Sequence, residues 1–146
     1  MSAPPQLSLI PRLHRATHAV ALAFAAEPDL DVNQAEAHIL AHLREARAAR
    51  ISELHRRFGH RRSTLTSVLD RLEERGLIER ASDPDDRRSF VITLTADGRA
   101  VAARVHHLLA ALERDALDGL SSAQRKLVAD VLDAVGATPP ARSGRS

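Results

Sequence analysis

The sequence predicts a mainly α-helical protein that carries one small β-hairpin. Apolar residues recur at helical spacing in six segments of the 146-residue chain. Between the fourth and fifth segments, two short runs alternate apolar and polar side chains around a turn rich in Asp. The length suits one domain, which we expect at residues 7–135. The Pro- and Ser-containing ends, 1–6 and 136–146, are predicted to be disordered tails.

The first two helices are predicted from their apolar spacing and their ends. Apolar positions alternate by three and four residues from Ile10 to Phe24, and Pro28 ends this pattern. A second helix is expected after Asn33, because Glu36 follows it at the spacing of a capping box.

A short connection follows the second helix. We expect that helix to close near Ala49 and a short strand to follow at Arg50–Ser52. Ser52 is the expected N-cap of a third helix, since its hydroxyl can accept a bond from a free backbone N–H. Gly59 then turns the chain.

A fourth helix and a hairpin complete the middle of the chain. The helix is predicted over Arg62–Arg75, with one apolar face, and Gly76 ends it. Leu77–Arg80 and Ser89–Leu94 follow as two short strands. The charged residues 82–88 between them form the hairpin tip.

The last two helices carry apolar seams. Thr95 can cap the fifth helix, and Ser121 with Gln124 makes a second capping box before the sixth. The first, fifth and sixth helices present more apolar surface than one small lobe can cover. We therefore assign residues 7–27 and 96–135 to the contact between two copies of the chain.

Two helices joined by a glycine turn and followed by a hairpin make a winged helix-turn-helix, here at residues 33–95. Five arginines and one glutamate give this region a local charge of +4 between positions 50 and 62, where DNA phosphates would lie. The alternative is a solvated, charged helix pair in an ordinary helical domain. The arginines are Arg50, Arg56, Arg57, Arg61 and Arg62.

The composition excludes several classes of function. The absence of cysteine rules out disulfides, thiolate metal sites and a catalytic or redox-active thiol. Three Phe and no Tyr or Trp leave few rings for stacking on unpaired bases. No apolar run is long enough for a membrane span, so we expect a cytoplasmic protein. Common enzyme motifs are absent, and we expect neither enzymatic activity nor a cofactor.

Residues 53–98 resemble the MarR family of bacterial transcription regulators. The family signature, D-x-R followed by L-T-x-x-G, comes after a helix that ends in L-x-x-x-G. In this chain the signature consists of Asp86, Arg88, Leu94, Thr95 and Gly98, preceded by Leu72 and Gly76. The resemblance implies a homodimer that binds double-stranded DNA at a pseudo-palindromic operator. It also implies that the protein is a repressor whose DNA binding responds to a ligand.

The resemblance also implies the DNA contacts. In the family, the hairpin arginine enters the minor groove and a nearby carboxylate orients it. These residues correspond to Arg88 and Asp86, with Asp70 as a second possible partner and Arg87 as a phosphate contact. The helix positions that match the family's major-groove contacts are Arg61, Arg62, Ser63, Thr64, Thr66, Ser67 and Arg71. This chain departs from the family at the helix start, where Arg61 and Arg62 replace the usual small polar cap and Pro.

Two kinds of effector follow from the resemblance. Family repressors are commonly released by small aromatic anions, and the corresponding pocket lies near Phe24, His38 and Leu43. The alternative is a zinc sensor, because imidazoles four residues apart on a helix can share a metal. Its candidate ligands are His38, His42, His106 and His107. A weakly specific architectural DNA-binding protein is a further alternative.

Overall fold

The structure, a computed structural model, describes residues 6–137. The predicted architecture is confirmed, because these residues form a mainly helical fold with one small antiparallel sheet. In chain order the elements are α1 (Ile10–Ala25), α2 (Gln34–Ala46), β1 (Ala48–Arg50), α3 (Ile51–Phe58), α4 (Arg62–Glu74), β2 (Ile78–Ser82), β3 (Phe90–Leu94), α5 (Ala96–Ala116) and α6 (Ser122–Ala137). Within the described part, no helix combines the length and apolarity needed to cross a membrane.

The predicted tails lie almost wholly outside the described residues. Of the expected tail 136–146, only Gly136 and Ala137 are described, and both belong to α6. The helix thus continues two residues past the predicted domain end at 135. A glycine ends a helix where it takes a positive φ, and Gly136 does not.

The chain divides after Ala110 into two compact units. The first contains α1 to α4, the three strands and most of α5. Apart from Phe24, its buried core is aliphatic, and the apolar face of α4 contributes four side chains to it, as the periodicity predicts. These side chains are Leu65, Val68, Leu69 and Leu72. The second unit contains the end of α5 and all of α6, none of whose residues is buried.

The sheet has the strand order β1-β3-β2 and is antiparallel throughout. Ile92 in the central strand lies opposite Ala49 and is fully buried. Phe90 points to the same face of the strand but is 45% exposed, because it stands at the hairpin end of β3 beyond the core. We call residues 78–94, which form β2, the tip and β3, the wing.

The prediction for the connection between α2 and α3 was wrong by two residues. The first strand is Ala48–Arg50 instead of Arg50–Ser52. Helix α2 stops at Ala46 and does not reach residue 49, because Arg47 takes a positive φ of 67° that no α-helix accommodates.

The expected cap of α3 was also wrong. The backbone N–H of Arg50 donates to the Glu53 carboxylate at 2.8 Å, so Arg50 is the N-cap and Ser52 lies inside the helix. Both predicted capping boxes are confirmed. Asn33 and Glu36 exchange bonds of 2.9 and 3.1 Å, and Ser121 and Gln124 exchange bonds of 3.2 and 2.8 Å.

The junction between the wing and α5 explains the spacing Thr-x-x-Gly. The Thr95 hydroxyl accepts from the Gly98 N–H at 2.9 Å, which caps α5. The same hydroxyl donates to the Gly76 carbonyl at 2.6 Å, where α4 turns into β2. A Cβ on Gly98 would lie 1.8 Å from the Leu77 carbonyl oxygen. Only glycine therefore permits this approach of α5 to the α4–β2 turn.

We expect Gly98→Ala to destabilise the protein by about 1–3 kcal/mol or more. The new Cβ would clash with the Leu77 carbonyl oxygen, a backbone atom that cannot move away by a rotamer change. The measurement is urea unfolding followed by circular dichroism. Gly136→Ala is the matched control, since its new Cβ meets nothing within 4 Å and alanine favours a helix by up to about 1 kcal/mol. Equal unfolding midpoints for the two variants would contradict the close contact.

Candidate nucleic-acid interface

The turn between α3 and α4 brings a polar helix face to the surface. Gly59 takes a left-handed conformation with φ of 61° and closes α3 through a bond to the His55 carbonyl at 3.0 Å. Helix α4 then begins after Arg61, with no side-chain cap. The residues expected to contact the major groove are all exposed: Arg61, Arg62, Ser63, Thr64, Thr66, Ser67 and Arg71.

Two hydroxyls on this face have their protons committed within the helix. Thr66 donates to the Arg62 carbonyl at 2.8 Å, and Ser67 donates to the Ser63 carbonyl at 2.9 Å. A hydroxyl bound in this way keeps its lone pairs free as acceptors. The face therefore offers acceptors suited to the amino groups of cytosine and adenine, beside the guanidinium donors of Arg61 and Arg62.

The wing is fastened near its tip by a buried carboxylate whose role was not predicted from the sequence. Asp83 has a side chain only 1% exposed, and the Arg50 Nε donates to its Oδ2 at 2.5 Å. The second arm of Arg50 reaches Asp85 at 3.2 Å. Arg50 is thus bound to the wing and is not a free cation of the +4 cluster. No spacing rule links two residues 33 positions apart, so the sequence carried no signal for this pair.

The backbone of the wing tip also binds Asp83. The Asp85 N–H donates to Asp83 Oδ1 at 2.9 Å, and the Asp83 N–H donates to the Ser89 carbonyl at 3.0 Å. The bond from Asp85, and then the guanidinium of Arg50, lower the pKa of the Asp83 carboxyl below its ordinary value of 3.8. The tip is therefore held most firmly when Asp83 is ionised.

The tip presents Arg87 and Arg88 to solvent, and neither guanidinium forms an ion pair within residues 6–137. Asp86 accepts from the backbone N–H of Arg88 at 3.0 Å, so it shapes the turn beneath that arginine. This differs from the expected bond to the guanidinium. Asp70 was wrong as a partner for Arg88, because it binds Arg80 at 2.6 Å.

A second buried carboxylate, Glu36, lies at the start of α2 beneath α4. Its Oε1 accepts from the Arg71 Nε at 2.9 Å, and its Oε2 lies 3.5 Å from the Arg75 Nη1. Arg75 reaches Asp31 as well, at 3.8 Å. Helix α4 is thereby connected to the N-terminus of α2. From the sequence, Glu36 was predicted only as a capping residue.

The residues expected to line an effector pocket lie together but are closely packed. Phe24 and Leu43 are buried in the core, and His38 is half-buried with its ring edge-on to Phe24 at 6.4 Å between centroids. Burial, and then the nearby His60, lower the pKa of His38. This shift favours the neutral form of the imidazole.

The four histidines proposed as zinc ligands do not converge. His42 packs edge-on against Phe58 at 5.8 Å, and His106 lies 4.0 Å from Glu45. Burial, and then Arg57, lower the pKa of His42. Among the residues that the structure describes, no group of three or more His, Asp or Glu side chains could hold a metal ion.

We expect Asp83→Asn to lower stability at pH 7, because the amide loses the charge that Arg50 neutralises. The pKa of Asp83 is lower in the folded state than in the unfolded state, so its ionisation stabilises the fold at pH values above 3.8. This stabilisation is lost as the pH falls through the folded-state pKa. The gap in unfolding midpoint between wild type and variant should accordingly narrow below about pH 3.8. Chemical unfolding at pH 7 and pH 3 measures it.

Asp85→Asn is the control for this comparison, because its carboxylate is exposed and its pair with Arg50 is screened by water. A gap that stays constant from pH 7 to pH 3 would show that the Asp83 charge is not what stabilises the wing.

Comparisons with known proteins agree with this architecture. The model of the MarR family matches residues 32–90, which run from two residues before α2 to the first residue of β3. The multiple antibiotic resistance protein MarR of Escherichia coli is 32% identical over 80 residues, 55% of this chain and 56% of that protein. The alignments cover about half the length of the curated relatives.

Solved structures resemble nearly the whole chain. The Bordetella bronchiseptica regulator BpsR is 27% identical with a TM-score of 0.68, over 86% of this chain and 96% of that one. NadR, solved with 4-hydroxyphenylacetate, has a TM-score of 0.79 over 95% of this chain and 99% of that one. Its 21% identity supports the fold alone. Residues 32–90 thus match the MarR family model, and the chain is similar to transcriptional regulators of that family in sequence and in fold.

Proposed function

We propose that this protein is a homodimeric regulator that binds a specific sequence in double-stranded DNA and responds to a small organic effector. The observation that carries the proposal is the exposed polar face of α4 together with Arg87 and Arg88 at the wing tip, which form no ion pair with any described residue. Both belong to the first compact unit and to the segment 32–90 that matches the MarR family model. We expect the protein to act in the cytoplasm on chromosomal DNA.

Helix α4 is the proposed reader of the major groove. The groove is about 12 Å wide and admits one α-helix. The apolar side chains of α4 point into the core, so the opposite face is available to bases. Arg62 is placed in the first turn, from which a guanidinium can bind O6 and N7 of a guanine together.

The wing is the proposed minor-groove element. Arg88 is exposed, has no ion-pair partner in the part of the chain that the structure describes, and lies on a turn that Asp86 and Asp83 hold through backbone bonds. A narrow, A·T-rich minor groove concentrates negative potential and attracts such a side chain. Arg87, beside it, would contact phosphate.

Exposed apolar side chains motivate the homodimer. On α6, four of them are exposed, although a helix in water normally buries such a stripe. On α1, Ile10 and Leu22 are exposed as well. A second copy of the chain would cover both helices and would set two reading lobes about 34 Å apart. The exposed residues of α6 are Leu127, Val128, Val131 and Leu132.

A similar protein, BpsR, motivates our proposal for the chemical class of the effector. The DNA binding of BpsR is regulated by 6-hydroxynicotinic acid. We propose a small aromatic acid for this chain too, bound beside His38. Because Phe24 and Leu43 are packed in the core, the ligand would have to separate α1 from α2. A dimer held in that state would no longer fit both half-sites.

We expect the protein to retard a duplex taken from just upstream of its own gene, in the presence of competitor DNA. Arg62→Ala should weaken this binding by about 1–3 kcal/mol and relax base preference. Arg88→Ala should weaken it with loss of preference for A·T-rich flanks. Arg44→Ala, in the last turn of α2, removes the same charge outside both the proposed DNA contacts and the proposed dimer contact, and should change little.

Three results would contradict the assignment. Equal affinity for the upstream duplex and random DNA would indicate an architectural protein. Unchanged binding by the Arg62 and Arg88 variants would place the reading surface elsewhere. Stoichiometric zinc binding that alters the shift, and that is lost in a His38→Ala, His106→Ala, His107→Ala variant, would favour the metal sensor over the organic effector.

We expect sedimentation equilibrium to give twice the chain mass of 15.9 kDa at micromolar concentration. Leu127→Glu places a charge in the exposed apolar stripe and should shift the protein toward the monomer. Asp133→Ala, on the same helix, is the control and should leave the mass unchanged. A wild type that sediments as a stable monomer would exclude the dimer.

A further inference from the structure

We propose that Glu36 is a positioning residue for DNA binding. It holds the Arg71 guanidinium so that the two Nη groups bind a phosphate at the edge of the major groove. The inference rests on the proposed function and goes beyond it, because Glu36 makes no contact with DNA in this scheme. Its basis is one buried carboxylate that joins α2 to the exposed side of α4.

The bond between these residues leaves most of the guanidinium free. Arg71 donates to Glu36 through its Nε, and neither Nη group bonds to another residue between 6 and 137. Their four N–H donors are therefore available for a second partner. The Arg71 side chain is 49% exposed, whereas that of Glu36 is 5% exposed. The inner edge is thus anchored in the protein and the outer edge faces solvent, which suits bidentate binding of a phosphate.

The position of Arg71 on α4 selects a phosphate in preference to a base. Ser63, Ser67 and Arg71 follow one another at intervals of four and share a face of the helix. Arg71 is nine residues after Arg62, which is about 13 Å along the helix axis. If the first turn of α4 reaches the bases, a residue that far along the helix lies near the groove edge, since the groove is about 12 Å wide.

Arg71 is held by a buried carboxylate, whereas Arg61 and Arg62 form no ion pair with any described residue. An unanchored arginine loses side-chain freedom when it binds, and anchoring by Glu36 removes much of that cost beforehand. Arg75 and the Asn33 N–H also bind Glu36, so the carboxylate keeps partners when Arg71 is removed. Arg71→Ala should therefore fold.

The test is a double-mutant cycle on DNA affinity with wild type, Glu36→Gln, Arg71→Ala and the double variant. Glutamine keeps the oxygen that accepts from the Asn33 N–H, so the cap of α2 is retained. We expect Arg71→Ala to cost about 10-fold or more in affinity. The slope of log affinity against log salt concentration should become shallower by about 0.9 for each arginine removed. Glu36→Gln should lower DNA affinity about 2- to 10-fold, which corresponds to the entropy cost of immobilising one long side chain on binding.

The cycle separates positioning from charge. In the Arg71→Ala background, Glu36→Gln should cause no loss, because there is no guanidinium left to hold. Glu45→Gln makes the same charge change at an exposed position of α2 and should not weaken binding. Because a phosphate contact is independent of sequence, the losses should appear on a random duplex at low salt as well. Unfolding midpoints of all variants show whether an affinity loss reflects instability.

The outcomes distinguish this inference from the proposed function. If Glu36→Gln binds like wild type while Arg62→Ala still weakens binding, Glu36 is only structural and the inference fails alone. If Glu36→Gln costs the same with and without Arg71, it does not act through that arginine, and the inference also fails. A wild type that binds no duplex overturns both.

Discussion

One helix, α4, has to satisfy two environments, and the rest of the fold depends on how it does so. Its apolar side chains are fully buried in the core, and this packing leaves a polar face with nothing to cover it. Hydrophobic burial fixes the rotation of the helix about its own axis, because turning it would expose leucines and bury arginines. The hydroxyls and guanidiniums that we propose as DNA contacts are thus aimed by residues that would never touch DNA.

Rotation alone does not define a reading surface, and two buried carboxylates add the missing constraints. Glu36 links the start of α2 to the far end of α4 through Arg71 and Arg75. Asp83 links the wing to the start of α3 through Arg50. A buried charge is costly unless it is paired, so each carboxylate restricts where its arginine can be. The helix and the wing are in this way held on one scaffold, as simultaneous contact with two grooves would require.

A few small contacts likewise fix the junction between the wing and α5. Thr95 caps α5 and binds the α4–β2 turn with one hydroxyl, and Gly98 allows backbone to approach backbone. Any displacement of α5 would therefore be felt at the base of the wing and at the end of α4. A ligand that separates α1 from α2, as proposed above, would also displace the start of α2, which Glu36 connects to α4.

Local chemistry in the sequence was sufficient for the helices, two of the capping boxes, the hairpin and the polar face of α4. Each depends on neighbours a few residues apart, such as Asn33 with Glu36 or Thr95 with Gly98, and the MarR signature is itself a local pattern. Local rules failed where backbone conformation was unusual, as at Arg47, whose positive φ ended α2 early. Only the tertiary structure could pair Arg50 with Asp83, Arg71 with Glu36, and Asp70 with Arg80 instead of Arg88. These choices depend on which charges folding brings together out of water, and no periodicity along the chain encodes that.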